Sequence, residues 1–315
     1  MRILITGGAG FIGSHVAEAY LRDGHDVVIL DDGSTGTPLN VPPQASLITM
    51  DLCEGDLEAV FARERPEIVS HHAAQMSVRR SVSDPAFDAR VNILGSLRLL
   101  EAALRHGVRG VIFASTGGAL YGEQDYFPAD EEHALRPVSP YGVAKASVEQ
   151  YLLYYHAVHG LPSVALRYAN VYGPRQNPEG EAGVVAIFCG RLLRGETPVI
   201  NGDGKQTRDF VFVEDVAEAN RLALQYLARG QERNGHLALN IGLGREVSIL
   251  DLAETLARAS GKRVKFAHGP AKAGEQQRSC LESGKAKRVL GWSPAVSLEE
   301  GLGLTLDWFR KRHGG

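Results

Sequence analysis

The chain opens on an apolar run, Ile3-Leu4-Ile5, set between Arg2 and Thr6, which predicts a short buried strand over Arg2–Thr6. Phe11, Val16, Ala19 and Tyr20 then recur at helical spacing and predict a helix over Phe11–Asp23 that stops at Gly24, a residue suited to a left-handed cap. Further apolar runs predict strands at Asp26–Asp31, Ser46–Asp51, Glu67–His71, Gly110–Ser115 and Ser163–Tyr168. Helical patterns separate them over Asp56–Arg65, Pro85–His106 and Ser139–His159, with Pro85 in a first turn and Gly107 just beyond an end. Strands that alternate with helices in this way imply βαβ units and a mostly parallel sheet. Strands this continuously apolar need cover on both faces, and right-handed crossovers then give a doubly wound α/β sheet.

After Tyr168 the rhythm breaks. Asn170–Gly183 reads as a loop rich in Gly, Pro and Asn. A helix over Gly183–Arg194, a strand over Asp209–Val213, a helix over Glu214–Arg229 and a strand near Leu237–Ile241 follow. The expected division is a larger domain over residues 1–168 and a smaller mixed α/β region over 169–315, the chain crossing back to the sheet near 206–241.

Composition narrows the functions available. The 315 residues carry 37 acidic and 34 basic side chains, a net charge of −3, with no basic stripe to meet a nucleic acid. No apolar run reaches the length of a membrane span. The three cysteines, Cys53, Cys189 and Cys280, are scattered and form no C-x-x-C, which argues against a disulfide scaffold or a zinc ribbon. The expectation is a cytoplasmic protein without a metal. His71 and His72 are strand neighbours that face opposite ways and make a poor chelate.

The chemistry begins in Gly7-Gly8-Ala9-Gly10-Phe11-Ile12-Gly13, between the first strand and the first helix. Glycines permit a tight turn and a close backbone approach to a pyrophosphate, and the helix N-terminus faces it with partial positive charge. Asp31 ends the second strand, 18 residues after Gly13, where a carboxylate accepts from ribose hydroxyls and repels a 2′-phosphate; this predicts NAD over NADP. Asp51-Leu52 ends the third strand and either faces the adenine or is a plain turn. Tyr141 and Lys145, at i and i+4 in the start of a long helix, share one face. An ammonium there favours the phenolate, as does an oxidised nicotinamide, and makes tyrosine a usable general base.

These motifs resemble the extended short-chain dehydrogenase/reductase family, in particular its nucleotide-sugar 4-epimerases. The landmarks are the segments 6–13, 71–75 (His-His-Ala-Ala-Gln), 115–122 (Ser-Thr-Gly-Gly-Ala-Leu-Tyr-Gly), 139–145 (Ser-Pro-Tyr-Gly-Val-Ala-Lys), 166–175 and 208–217. The resemblance implies a Rossmann domain with a nucleotide-sugar-binding region behind it. It also implies NAD-dependent inversion of C4 through a transient 4-keto sugar, on UDP-glucose and UDP-galactose, with room for the N-acetyl forms. It makes Tyr141 the base, Lys145 its partner on the nicotinamide ribose, and Thr116 the hydroxyl that bridges substrate to Tyr141. Ser115 is placed nearer the nicotinamide. Further cofactor contacts are implied at Gly7, Gly10, Phe11, Ile12, Gly13, Asp31, Asp32, Asp51, Leu52, Ala73, Ala74, Gln75, Asn92 and Tyr168. Related dehydratases carry acidic residues just after the threonine; here Gly117-Gly118-Ala119 follows, which argues for epimerisation over elimination.

On the substrate side, Arg208 precedes a predicted strand, and by the resemblance it grips the diphosphate, as a guanidinium does well. Asn170 meets the diphosphate or sugar, and Val199 and Ile200 lie against the base. Lys272 stands where relatives carry arginine, a point charge in place of a bidentate fork, with Glu275 after it. Ser279 replaces a large aromatic that blocks N-acetyl sugars in some relatives. The helices over Pro85–His106 and Ser139–His159 imply a homodimer through a four-helix bundle. Two other readings stay open: a nucleotide-sugar reductase or dehydrogenase, and a dinucleotide-binding regulator without chemistry.

Overall fold

The computed structural model describes residues 1–178, 183–230, 235–261, 264–271 and 276–313. In chain order the elements are β1 (Arg2–Thr6), α1 (Phe11–Arg22), β2 (Asp26–Asp31), β3 (Ser46–Thr49), α2 (Leu57–Glu64), β4 (Ile68–His71), α3 (Val78–Ser83), α4 (Pro85–Ala89), α5 (Gly95–Arg105), β5 (Gly110–Thr116), α6 (Gly117–Leu120) and α7 (Pro140–His159). They continue with β6 (Ser163–Tyr168), β7 (Asn170–Tyr172), α8 (Val184–Arg194), β8 (Val199–Asn201), β9 (Thr207–Arg208), β10 (Phe210–Phe212), α9 (Val213–Ala228), β11 (His236–Ile241), β12 (Val247–Ser248), α10 (Ile249–Ser260), β13 (Ala267–Gly269), α11 (Gly284–Leu290) and α12 (Leu298–His313).

Seven strands form one sheet in the order β11-β6-β5-β4-β1-β2-β3, parallel throughout. The order reverses between β1 and β4, so their C-terminal ends open a crevice at a topological switch point, where open α/β sheets bind ligands. Apart from the edge strand β3, the strands are largely buried on both faces. Ile3, Ile5 and Ile29 pack with α1 and α9 on one side, and Leu4, Val28 and Val69 pack with α2, α5 and α7 on the other. A third core, around Phe188, Ile200, Leu252, Leu302 and Phe309, belongs to the C-terminal elements.

The chain returns from that smaller region to the sheet. Helix α9 packs on α1, β11 closes the sheet beside β6, and Ala286 and Trp292 join the first core. The helix predicted over Pro85–His106 is one rod with a π-turn at Arg90–Leu94 between α4 and α5, an irregularity frequent at functional sites. Two predicted elements change. The strand over Ser46–Asp51 ends at Thr49, and the loop after Tyr168 begins as β7, which pairs with β10. The apolar pattern also missed α3 and α6, both shorter than two helical turns.

Candidate active site

The glycine turn is built so that only glycine fits. Gly7 has φ +70°, and a Cβ on it would lie 2.6 Å from the backbone N of Ala73. A Cβ on Gly13 would lie 2.3 Å from the Gly7 carbonyl oxygen. The α1 N-cap is Gly10, with no side-chain cap and no acidic residue in the first turn. The amides of Phe11, Ile12 and Gly13 therefore have no intrahelical acceptor and suit an anion. These residues fit the pyrophosphate of a dinucleotide.

Asp31 is buried and holds this cradle in place. Oδ2 accepts from the Ala9 amide at 2.9 Å and Oδ1 from the Gly33 amide at 2.9 Å. Asp32 is exposed and accepts from Ser34. Asp51 is exposed and caps the Cys53 amide, and Leu52 is buried in the second core. A segment the sequence pattern did not single out, 36–40, folds over the turn: the Thr37 amide and Asn40 Nδ2 both donate to the Ala9 carbonyl.

The segment Ala73-Ala74-Gln75 runs against Gly7 and is tied down by a directed chain of hydrogen bonds. Ser96 Oγ donates to the Asn92 carbonyl at 2.6 Å, so it accepts from His71 Nε2 at 2.8 Å. His71 Nδ1 then accepts from Thr6 Oγ1 at 2.6 Å, and Thr6 accepts from the Ala73 amide. Burial holds His71 well below its ordinary pKa, in the neutral form this chain requires. Asn92 Oδ1 accepts from the Gln75 amide, and its Nδ2 donates to the Gln75 carbonyl and to Asp88. Asn92 thus positions the loop instead of offering a free amide.

Tyr141 and Lys145 stand one turn apart on α7, which Ser139 caps and Pro140 starts. Lys145 Nζ donates to the Ala114 carbonyl at 2.8 Å and lies 4.6 Å from the Phe113 ring centroid and 5.9 Å from that of Tyr141. Burial lowers Lys145 to about 8, partly offset by Asp88 and Glu149. Burial, with the charge of Asp88, raises Tyr141 to about 12. The sequence reading relies on the ammonium and an oxidised nicotinamide together to favour the phenolate; in the chain by itself desolvation wins, and Tyr141 holds its proton.

Thr116 caps α6, accepting from the Ala119 amide at 3.3 Å, and its own proton has no acceptor among the described residues. Gly142 brings α6 against α7, since a Cβ there would meet the Ala119 carbonyl at 2.6 Å. A Cβ on Gly118 would be 3.9 Å from both Thr116 Oγ1 and Asn170 Oδ1, so these two side chains border one open space. Asn170 is exposed, its amide bonded to the Asp209 carbonyl.

Two expected cofactor contacts are spoken for elsewhere. Ser115 donates to Glu149 at 2.5 Å, and Tyr168 accepts from Asn220 at 2.8 Å. The β5–β6 register pairs Ser115 with Arg167 and Thr116 with Tyr168, so the two hydroxyls lie on opposite faces of the sheet and meet different partners. Ser115 belongs to a buried network that the sequence did not reveal. Glu149 and Arg167 pair at 2.6 Å, Arg167 donates to Tyr121, and Tyr121 donates to Asn240 at 2.7 Å. Its signal was polar residues inside apolar strands.

Arg208 lies in β9, and its Nη1 donates to the Thr207 carbonyl. Buried Asp209 accepts the amides of Leu243, Gly244 and Leu281, which fastens the chain after β11 and the 276–283 segment around Arg208. Glu246 bridges Thr207 and Arg278, a frame also absent from the sequence reading. Ile200 is 0% exposed and packs in the third core, a correction to its expected contact with a base; its neighbour Val199 is exposed. Ser279 is buried beside this segment. Lys272 and Glu275 lie outside the described residues.

A glycine-cradled helix terminus at the switch point of a Rossmann sheet, facing a tyrosine–lysine pair, defines an extended short-chain dehydrogenase/reductase. The profile of the NAD dependent epimerase/dehydratase family matches residues 3–242, and the chain belongs to that family. It is 43% identical over 317 residues to a UDP-glucose 4-epimerase of Mycolicibacterium smegmatis, with 99% of each chain covered. A Thermotoga maritima UDP-glucose 4-epimerase solved with UDP-glucose superposes with TM-score 0.94 at 46% identity, covering 99% of both chains. A Thermus thermophilus UDP-glucose 4-epimerase solved with NAD gives TM-score 0.90 at 44% identity, covering 98% of this chain and 99% of that one.

Proposed function

We propose that this chain is an NAD-dependent epimerase that inverts C4 of a UDP-sugar, with UDP-glucose and UDP-galactose as the interconverted pair. The observation that carries the reading is Lys145, anchored on the Ala114 carbonyl one turn from Tyr141 on α7, which packs against the helix α6 that Thr116 caps. NAD, when bound, supplies a hydride acceptor that becomes the donor for the return step, and a positive charge. The turn from Gly7 to Gly13 holds its pyrophosphate, Asp31 its adenosine ribose and Lys145 its second ribose.

With NAD bound and Tyr141 as the phenolate, Tyr141 takes the proton of the sugar 4-hydroxyl and returns it to the C4 oxygen of the inverted sugar, so no net proton is consumed. Lys145, charged at neutral pH with a pKa of about 8, stabilises the phenolate while it lasts. Thr116 donates to the substrate oxygen and orients it toward Tyr141. Arg208 and Asn170 hold the diphosphate and sugar ends. Gly117 and Gly118 present no acid, so elimination lacks its catalyst. Small Ser279 leaves room for an N-acetyl group. The exposed face of α7, with Val143, Tyr154 and Val158, together with Leu94 at the π-turn, forms the interface of a homodimer.

Purified protein incubated with UDP-galactose and no added cofactor should yield UDP-glucose, read by NMR. Tyr141→Phe should lose at least ~100-fold in kcat and still fold. Conversion that requires stoichiometric reduced nicotinamide would instead favour a reductase.

A further inference from the structure

Asp88 lies on α4 one turn before Asn92, is 1% exposed, and is not needed by the proposed chemistry. Its Oδ1 accepts from Gln75 Nε2 at 2.8 Å and from Asn92 Nδ2 at 3.0 Å. Its Oδ2 is buried with no hydrogen-bond partner. Bracing the 73–77 loop takes one acceptor oxygen, which an asparagine carboxamide in the same place would also provide. The negative charge and the second oxygen are left over, and a buried unpaired oxygen is costly. Helix α4 and the π-turn pack directly on α7, and the electrostatic partners the carboxylate reaches there are Tyr141 and Lys145.

We propose that Asp88 is a positioning residue whose buried charge sets the protonation of the Tyr141–Lys145 pair, and with it the pH range over which the enzyme turns over. A negative charge disfavours the phenolate and favours the ammonium, so Asp88 holds the proton on Tyr141 until a positive group enters the crevice. It also keeps Lys145 charged against its own burial. Among the described residues, the surrounding elements offer no other free charge of this kind. Arg79 and Arg80 of α3, Asp84 of α4 and Arg90 of the π-turn are exposed. His71 of β4, His72 just beyond it and His236 of β11 are held neutral by burial. Glu149 on α7 also raises Lys145, after Asp88, but its carboxylate is paired with Arg167 on β6. On α5, Glu101 and Arg105 bond to Tyr155 and Glu58. No titratable group lies on α6 or β5.

This inference rests on the proposed function, and the test separates the two. The pH dependence of kcat is measured on the NAD-loaded enzyme with UDP-galactose, for the unsubstituted chain, Asp88→Asn and Asp88→Glu. Asp88→Asn should move both limbs of the profile to lower pH by about one unit, with KM changed less than about twofold. Asp88→Glu should restore most of the original profile. Limbs that stay in place while kcat falls, or a change confined to KM, reduce Asp88 to a loop brace and overturn the proposal. If Asp88→Asn does not fold, Asp88→Ser removes the charge, leaves room for water and is read in the same way. No turnover in the unsubstituted chain strikes the epimerase reading itself; turnover with unmoved limbs strikes only the role of Asp88.

Discussion

Removing the Arg167 guanidinium should destabilise the fold by about 3–4 kcal/mol at neutral pH. Its side chain is 7% exposed and that of Glu149 2%. Arg167 Nε donates to both Glu149 oxygens at 3.1 Å, Nη2 donates to Oε2 at 2.6 Å, and Nη1 donates to Tyr121 Oη at 2.9 Å. In Arg167→Leu the carboxylate keeps only the Ser115 hydroxyl. Breaking one side of a buried pair costs about 3–5 kcal/mol. A loss of 3–4 kcal/mol lowers the melting temperature of a chain this size by roughly 5–6 °C. Thermal denaturation followed by circular dichroism reads this directly. Glu149→Leu with Arg167→Leu should recover part of the loss, since no buried charge then remains and only Ser115 and Tyr121 are short of a partner. A single variant that melts within 2 °C of the unsubstituted protein (a shift below about 1 kcal/mol) would refute the view that the pair is a sealed ionic unit beneath the Lys145 helix.

Gly13→Ala should empty the protein of NAD as purified, because the new Cβ meets the Gly7 carbonyl backbone at 2.3 Å; the ratio of absorbance at 260 and 280 nm reads the bound nucleotide. His15, whose Nε2 bonds the Pro174 carbonyl, is lowered by burial to about 4. A depressed histidine contributes stability that is present above its unfolded value near 6.5 and is lost as pH falls toward 4, here ~3 kcal/mol. Urea unfolding of His15→Gln should therefore show a shallower loss of stability between pH 6.5 and 4. Tyr154→Glu, on the exposed face of α7, should bring the solution mass down to that of one chain by light scattering with the fold retained.

What could be read from the chain was whatever depends on neighbours in sequence. The glycine turn needs only seven consecutive residues and a flanking strand and helix, and Tyr141 and Lys145 need only one helical turn. The parallel sheet follows from alternating apolar strands and amphipathic helices, each with its own caps. The buried network escaped because Glu149 and Arg167 are 18 residues apart, and Tyr121 and Asn240 are 119 apart. Taken singly, each is an ordinary polar residue. Thr116 is expected at the substrate and Ser115 at the cofactor, and period-two alternation on β5 does send them to different places, but the partner of Ser115, Glu149, lies on a helix 34 residues further on. Tyr168 was assigned by its place at the end of β6, but its hydroxyl reaches Asn220 on a helix that returns from the second region. Asp88 was hidden in a helix that otherwise reads as amphipathic, and its meaning depends on the packing of α4 against α7.

The two glycines after Thr116 carry more of the chemistry than their lack of side chains suggests, and they do so in different ways. A Cβ on Gly117 would lie 2.4 Å from Leu281 Cδ1, a residue that the bridge between Ala129 and Leu281 and the amide bond to Asp209 hold in place. A side chain at 117 would therefore have to push aside the buried Leu281 side chain. Gly118 meets no such wall, and its missing side chain leaves the space between Thr116 and Asn170 open. A 4-keto sugar must present both faces to the same hydride site, which requires volume and few directional contacts near C4. An acid at either position would supply the opposite: a fixed proton donor or acceptor that captures one orientation and opens a route to elimination. The steric exclusion at 117 and the vacancy at 118 thus favour the same outcome by separate means, a pocket that releases the intermediate from one orientation and accepts it in the other.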